Sequence, residues 1–218
     1  MAGPLWSRLT WSRPLFAVLV LNLVWTAAIF LAPLTIAPGT VAYQVGGANM
    51  MDHMDVWSTL PWYTAAVYAF GDIQCHQIWS RSLWINENQM PLDSRMTSMY
   101  IFASFGLLAA VFARPAVSAG TVIMSVMPRR LQNALARFGP ERAGVIIVVL
   151  GLLPIAIDGF TQLWTPYESN NATRILTGIP GGFVGGLLVG AMLVSIRQVG
   201  LDIQAMRARM ASMDARGP

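Results

Sequence analysis

The sequence predicts an all-α, polytopic integral membrane protein: a four-helix transmembrane bundle with short re-entrant or interfacial helices. Of its 218 residues, 55% are hydrophobic and 11% are charged, whereas about 25% of the residues of a typical soluble protein are charged. A soluble domain must cover its surface with polar groups, so this composition excludes that class. Four apolar stretches also approach the roughly 20 residues that a helix needs to cross a bilayer.

The first predicted span covers about residues 15–37 and follows Arg8 and Arg13. Its apolar run is longer than that of a signal peptide, so we interpret it as a membrane helix. The other spans are predicted at about 96–113, 143–160 and 175–196. Between and after them lie an outer-face segment (38–95), a cytoplasmic loop (114–142) and a cytoplasmic amphipathic tail (197–218).

Two further apolar segments, 58–70 and 115–127, are too short to span the membrane. We predict that they are re-entrant or interfacial. Arginines flank the second segment at Arg114 and at Arg129, which would keep both of its ends on one side of the membrane.

The arginines predict the orientation. Eleven of the fourteen fall on the side that holds both termini, whereas the opposite side has three arginines and seven acids. The positive-inside rule then predicts a multi-pass protein of the cell inner (cytoplasmic) membrane with both termini cytoplasmic. Because topology accounts for the basic residues, no nucleic-acid partner is predicted.

Three separate segments, 71–84, 90–100 and 158–178, bring polar residues to the predicted outer layer. Unpaired ions near the hydrocarbon are costly, so we predict that Asp158 and Arg174 form a structural pair, directly or through one water. The same polar network is predicted to include Gln162, Asn171, Arg81, Arg95 and Asp93. In the functional alternative, Asp158 is a base and Arg81, Arg95 and Arg174 hold a phosphate or carboxylate of an anionic lipid-like ligand.

Motifs in this region carry a family resemblance. They are Cys75-His76-Gln77, Arg81-Ser82, Pro91 with Arg95, Thr97 and Tyr100, Asp158-Gly159 with Gln162, and Ser169, Asn171, Arg174, Thr177 and Gly178. Residues 70–190 thereby resemble a bacterial and archaeal membrane-protein family catalogued as domain of unknown function 2085. The resemblance implies a membrane protein and supplies no activity. Members of that family typically carry a Cys-x-x-Cys pair where this chain has Asp93 and Met96.

The replaced cysteine pair bears on metal binding. Thiolates suit zinc or iron, and the remaining Cys75, His76, Asp93 and Met96 are weak candidates, so we predict no metal there. A second candidate is the segment NMMDHMD (49–55), because thioethers beside His53 could ligate Cu(I). The alternative is that His53 is a loop residue or a partner contact. An outer-face zinc or copper protein therefore stays open as a function.

The fourth span carries Gly178, Gly182, Gly186 and Gly190 at intervals of four residues. Such a row lets another helix approach closely, from the same bundle or from a partner. The row could also receive a rigid cofactor tail. No cofactor is predicted, a bound lipid stays open, and membrane lipids and other membrane-protein subunits are the predicted partners. Because no common catalytic motif is present, we favour a mainly structural subunit of a larger, for example bioenergetic, assembly. The alternative is a membrane enzyme or binding protein for an anionic lipid-like ligand.

Overall fold

The computed structural model describes residues 5–47 and 50–214. Asn49 of the 49–55 segment, and residues 215–218 of the predicted tail with Arg216, lie outside the described residues. In chain order the elements are α1 (Leu5–Leu9), α2 (Arg13–Leu31), α3 (Met54–Trp57), α4 (Trp62–Gln74), β1 (Ser82–Ile85), β2 (Asn88–Asp93), α5 (Ser94–Val111), α6 (Ala119–Val126), α7 (Arg129–Leu135), α8 (Pro140–Trp164) and α9 (Asn171–Asp214). Turns of 3-10 helix cover Ala32–Thr35, Trp79–Arg81 and Ala136–Phe138.

Four helices are long and apolar enough to cross a membrane: Arg13–Thr35, Ser94–Val111, Pro140–Trp164 and Asn171–Met213. They confirm the predicted four-helix fold class. Local sequence explains where two of them begin. Pro14 lies in the first turn of α2, and Pro140 opens α8, positions where proline's missing N–H costs nothing.

The closest helix pair is α5 with α9, and the glycine row forms their contact. A methyl group at Gly182 would collide with the backbone of Met99, and one at Gly186 with the backbone of Ala103. Gly178 and Gly190 also meet α5, at the side chains of Ser98 and Ala110. Glycine therefore allows the two backbones to touch, and this row is filled by the protein's own α5.

A β-hairpin is the element that the all-α prediction missed. β1 and β2 pair antiparallel, with Trp84 opposite Gln89 and Ile85 opposite Asn88. The two-residue turn between them has φ of 52° at Asn86 and 56° at Glu87, as a type I′ turn requires. Asn86 after the β-favouring Trp84 and Ile85 is the sequence signal for this turn.

Both short apolar segments contain helices, at α4 and α6. At about 1.5 Å per residue, the eight residues of α6 span only about 12 Å. Gly120 of α6 packs on the backbone of α8, and Gly144 of α8 packs on Gly120 in return. Whether α4 and α6 are re-entrant or interfacial stays a prediction.

The predicted tail is not a separate helix. α9 runs for 44 residues without interruption, about 66 Å, roughly twice the thickness of a bilayer core. Alanine, arginine, methionine and glutamine after Arg197 are strong helix formers, so nothing ends the helix there.

Two hydrophobic clusters hold the bundle together. One includes Leu107, Ile147 and Leu187 of the long helices and extends to α6. The other includes Trp57 and Leu92 and joins α2 to α3, α4 and the hairpin. We call the end of the bundle that carries α3, α4, β1 and β2 the hairpin end. It also holds the first turns of α5 and α9 and the last turn of α8.

Candidate functional site

A polar cavity of about 200 Å³ lies at the hairpin end. Three arginines line it, each supplied by a different element: Arg81 by the turn before β1, Arg95 by the first turn of α5, and Arg174 by the first turn of α9. The remaining lining includes Asp93, Gln162, Cys75 and His76. The fold thus brings together residues that are almost 100 positions apart in the chain.

Arg95 forms an ion pair with Asp158 of α8. Its Nη2 donates to Asp158 Oδ2 and also lies 3.4 Å from the Ser169 hydroxyl. Asp158 accepts further hydrogen bonds from Gln162 Nε2 at 3.0 Å and from the Tyr167 hydroxyl at 3.3 Å. The Arg95 and Asp158 side chains are only 15% and 5% exposed, so this pair is shielded from solvent.

Arg174 uses all three of its guanidinium nitrogens. Nη1 donates to Asp93 Oδ2 at 3.1 Å, Nη2 to Gln162 Oε1 at 3.0 Å, and Nε to the Ser169 carbonyl at 3.3 Å. The Arg174 side chain is buried. These bonds fix the guanidinium in one orientation, which makes it a rigid part of the cavity wall.

Of the two predicted arrangements, direct or through one water, the structure does not have the direct pair between Asp158 and Arg174; each belongs to one of two crossed ion pairs. Asp158 pairs with Arg95 and Arg174 pairs with Asp93, while the Gln162 amide bridges them by donating to Asp158 and accepting from Arg174. The physical reason is the position of α5, whose first turn lies between the ends of α8 and α9. Arg95 in this turn and Asp93 at its cap therefore lie between Asp158 of α8 and Arg174 of α9 and pair with them.

Asp93 has two structural roles. Its Oδ1 accepts the Met96 backbone N–H at 2.7 Å and so caps α5, while Oδ2 receives Arg174. A carboxylate is favourable at a helix N-terminus, where backbone N–H groups lack partners.

Asn171 of the predicted network lies beside the cavity rather than in its wall. Its Oδ1 accepts the Ser94 hydroxyl at 2.9 Å, and its Nδ2 donates to the Ser82 carbonyl at 3.2 Å. Asn171 therefore ties the starts of α9, α5 and β1 together.

Donors remain in the cavity wall after these pairs are made. Arg81 reaches Glu168 only at 3.5 Å, and the Glu168 side chain is 74% exposed. The Nε of Arg95 is buried and has no hydrogen-bond partner among the residues that the structure describes. Three guanidinium groups face two shielded carboxylates, Asp93 and Asp158. The cavity therefore keeps positive charge and unused N–H donors, which suit an anion.

Cys75 is buried beside this cavity, and its sulfur accepts the Asp93 backbone N–H at 3.4 Å. Burial raises the pKa of the thiol to about 11, and the Asp93 carboxylate adds to the effect. The thiol is therefore protonated at neutral pH and is a poor nucleophile. This arrangement suits binding of an anion better than covalent catalysis.

The weak metal candidates do not share one position. His76 lines the cavity with Cys75 and Asp93, whereas Met96 lines an apolar groove against the glycines of α9. In the described part of the chain, the three potential ligands that converge are instead Asp52, His53 and Asp72. The absence of metal at Cys75 and His76 stays a prediction.

Two contributors were not predicted as members of the network, although Ser169 is one of the family motif residues. Tyr167 and Ser169 lie in the loop between α8 and α9 and contact Asp158, Arg95 and Arg174. Their side chains carry no charge, so a search for ions could not select them from the loop's other polar residues.

Comparison with known proteins places the cavity within a family segment. The family described as "Predicted membrane protein (DUF2085)" matches residues 75–188, which include every lining residue named above. An uncharacterised protein of Methanothermobacter thermautotrophicus is 30% identical over 108 residues, covering 50% of this chain and 77% of the relative. An uncharacterised protein of Methanocaldococcus jannaschii is 25% identical over 166 residues, covering 76% and 83%. No solved structure matches the chain significantly.

Proposed function

The chain belongs to the DUF2085 family of predicted membrane proteins, and we propose that it binds an anionic ligand in the cavity at the hairpin end. The observation that carries the proposal is the convergence of Arg81, Arg95 and Arg174 on one cavity. Arginine's planar fork of donors matches the oxygens of phosphate and carboxylate groups.

The size of the cavity limits what it can hold. About 200 Å³ is smaller than the roughly 300–1,000 Å³ of typical small-molecule pockets. An oxyanion fits, either free or as the head group of a lipid whose chains remain in the bilayer. The first turns of α5 and α9 supply Arg95 and Arg174, which would put the cavity near head-group depth. The distribution of arginines predicts that this end faces away from the cytoplasm.

The three arginines have different tasks in this proposal. Arg174 is held by three partners, so it shapes the wall and has little capacity left for a ligand. The Nε of Arg95 has no partner among the described residues, but it is buried, so a ligand would reach it only after the side chain turns. Among the described residues, the Arg81 side chain has only the weak contact with the exposed Glu168, and it can turn toward a ligand at small cost. Arg81 is therefore the residue whose loss should affect binding with least effect on folding.

The proposal can be tested with purified protein in lipid nanodiscs. Native mass spectrometry would compare retention of phosphatidylglycerol with that of phosphatidylcholine, and calorimetry in detergent would measure inorganic phosphate. We expect Arg81→Gln to weaken anion binding about tenfold, the loss of roughly one charged contact. Arg114→Gln, at the opposite end of the bundle, is the matched control and should retain full binding.

The two arms distinguish the source of the anion. Binding of phosphatidylglycerol without phosphate indicates a lipid head group, whereas binding of both indicates a general oxyanion site. Equal retention of the two lipids together with no phosphate binding would contradict the proposal. So would an identical loss of binding in Arg81→Gln and Arg114→Gln.

A second candidate function is a mainly structural subunit of a larger membrane assembly. The observation that favours it is an exposed apolar stripe on the part of α9 that follows residue 197. It consists of Ile203, Met206, Met210 and Met213. Their spacing of three and four residues puts them on one helix face. A partner that covers this stripe would shield it from water.

Cross-linking and co-purification in mild detergent would test the subunit function. Met206→Asp with Met210→Asp should release a bound partner, while Ala208→Asp, on the opposite face of the helix, should not. Purification without any stoichiometric partner would contradict this second function and leave the anion site unaffected.

A further inference from the structure

We propose that Asp52, His53 and Asp72 form a binding site for a divalent zinc ion, separate from the arginine cavity. Asp52 and His53 come immediately before α3, and Asp72 lies in the last turn of α4. All three precede residues 75–188, the segment that the family match covers. Their ligand atoms lie within 4.8 Å of one another.

The two distances from His53 to the carboxylates fit a tetrahedral ion. Zinc at about 2.0–2.1 Å from nitrogen and oxygen ligands sets neighbouring ligand atoms about 3.3–3.4 Å apart. His53 Nδ1 lies 3.3 Å from Asp52 Oδ1 and 3.4 Å from Asp72 Oδ1. A charge-assisted hydrogen bond would be shorter, at about 2.7–2.9 Å. A single proton on Nδ1 could also serve only one of the two carboxylates well.

Each carboxylate is oriented by its other oxygen. Asp52 Oδ2 accepts the Gly47 backbone N–H at 2.7 Å. Asp72 Oδ2 accepts the Trp57 indole N–H at 2.9 Å and the His53 backbone N–H at 3.2 Å. Both Oδ1 atoms are thereby directed at His53. Outer partners of this kind are typical of metal sites, where they fix the ligands before the ion arrives.

The negative charge of the two carboxylates also favours a bound cation. Asp72 is fully buried, and a buried carboxylate is costly unless a cation neutralises it. In the described part of the chain, its ion-pair contact is with His53, which also faces Asp52. Two carboxylates therefore share one imidazole. A divalent cation would neutralise both carboxylates at once, which an imidazolium with its single charge cannot do.

The chemistry of the ligands selects zinc over Cu(I). One imidazole and two carboxylates suit zinc, whereas Cu(I) prefers thiolates and thioethers. The methionines beside His53, at Met50, Met51 and Met54, have exposed side chains. Three protein ligands also leave a fourth position for water or another ligand. Asp52, whose side chain is 37% exposed, provides the route to it.

The test uses the full chain, purified in mild detergent with its affinity tag removed. Protein is stripped with a chelator, equilibrated with micromolar zinc, passed over a desalting column and analysed for zinc by mass spectrometry. We expect one equivalent in the unchanged chain and less than a tenth of that in His53→Gln. His76→Gln removes the chain's other histidine, which lines the arginine cavity, and should keep one equivalent.

Folding is checked separately, because Asp72 is buried. Asp52→Asn changes an exposed side chain, so it should keep the fold while weakening zinc binding at least tenfold. Zinc should also raise the melting temperature of the unchanged chain and not that of His53→Gln. No zinc above background in well-folded protein would overturn the proposal. Zinc that persists in His53→Gln, or is lost equally in His76→Gln, would overturn it too.

Discussion

The crossed ion pairs make a quantitative prediction about Asp158→Asn. This change keeps the shape of the side chain but removes the negative charge that faces Arg95. Gln162 donates to Oδ2 and Tyr167 to Oδ1, so the one oxygen that remains keeps one of these two donors. Arg95, only 15% exposed, loses its anionic partner and keeps the Ser169 hydroxyl nearby. The perturbation therefore measures mainly the cost of an unpaired, shielded guanidinium, with the loss of one neutral acceptor beside it.

The burial of the pair sets the size of the effect. Breaking a buried pair by removing one partner costs about 3–5 kcal/mol, and we expect the lower end because Arg95 is not fully shielded. For a chain of this length, about 2–4 °C of melting temperature corresponds to 1 kcal/mol. Asp158→Asn should therefore lower the melting temperature by roughly 6–12 °C. Arg95→Gln with Asp158→Asn should recover part of that loss, because no charge is stranded.

Double-mutant cycles measured by thermal unfolding in detergent check this reasoning. We expect a coupling of about 2 kcal/mol between Arg95 and Asp158, which are in contact. The coupling between Arg174 and Asp158 should be below about 1 kcal/mol, because the Gln162 amide separates them. Arg81 with Glu168, an exposed pair, is the control at about 0–1 kcal/mol. A larger coupling for Arg174 with Asp158 than for Arg95 with Asp158 would refute the crossed pairing.

Three further predictions follow from packing, burial and topology. Gly182→Ala should destabilise the protein by about 1–3 kcal/mol through collision with α5. Gly185→Ala meets open space and should stabilise the protein by about 0.5–1 kcal/mol. Equal melting temperatures of the two variants would contradict the packing. Burial raises the pKa of the Cys75 thiol to about 11, so little reactive thiolate is present at pH 7. Maleimide should therefore label Cys75 slowly at pH 7 and faster as the pH rises. Rapid labelling of folded protein at pH 7 would contradict this. Orientation is tested with single cysteines introduced into a Cys75→Ser background. A membrane-impermeant thiol reagent added to intact cells should label Ser58→Cys and not Asn133→Cys. The reverse pattern would overturn the predicted orientation.

Sequence patterns were sufficient for the elements that hydrophobicity controls. Four apolar runs of spanning length became the four long helices, because a backbone in the bilayer has few alternatives to a helix. The hairpin was missed because it depends on left-handed backbone at Asn86 and Glu87, and one asparagine is a faint signal for that. The length of α9 was missed because hydropathy marked only the apolar span to residue 196. The polar residues after it are strong helix formers and continue the same helix.

Pairing within the polar network could not be predicted from the order of residues along the chain. Asp158 and Arg174 flank one loop, which suggested that they pair with each other. The actual partners are Asp93, which caps α5, and Arg95 in its first turn, and which of them meets which ion depends on how the start of that helix is rotated. The sequence predicted one outer-face network of arginines and acids, because unpaired ions near the hydrocarbon are costly.

Structural and binding roles are separable within this cavity, and the reason lies in how firmly each arginine is held. Arg174 and Arg95 face shielded carboxylates, so their loss would disturb the ends of α5, α8 and α9 along with any ligand. A loss of binding in those variants would therefore be ambiguous. In the part of the chain that the structure describes, the ion pair of Arg81 is with an exposed carboxylate at 3.5 Å, a contact that contributes little to stability. If Arg81→Gln loses anion binding at an unchanged melting temperature, the cavity is a ligand site built on a structural network. If it changes neither property, the network is structural alone.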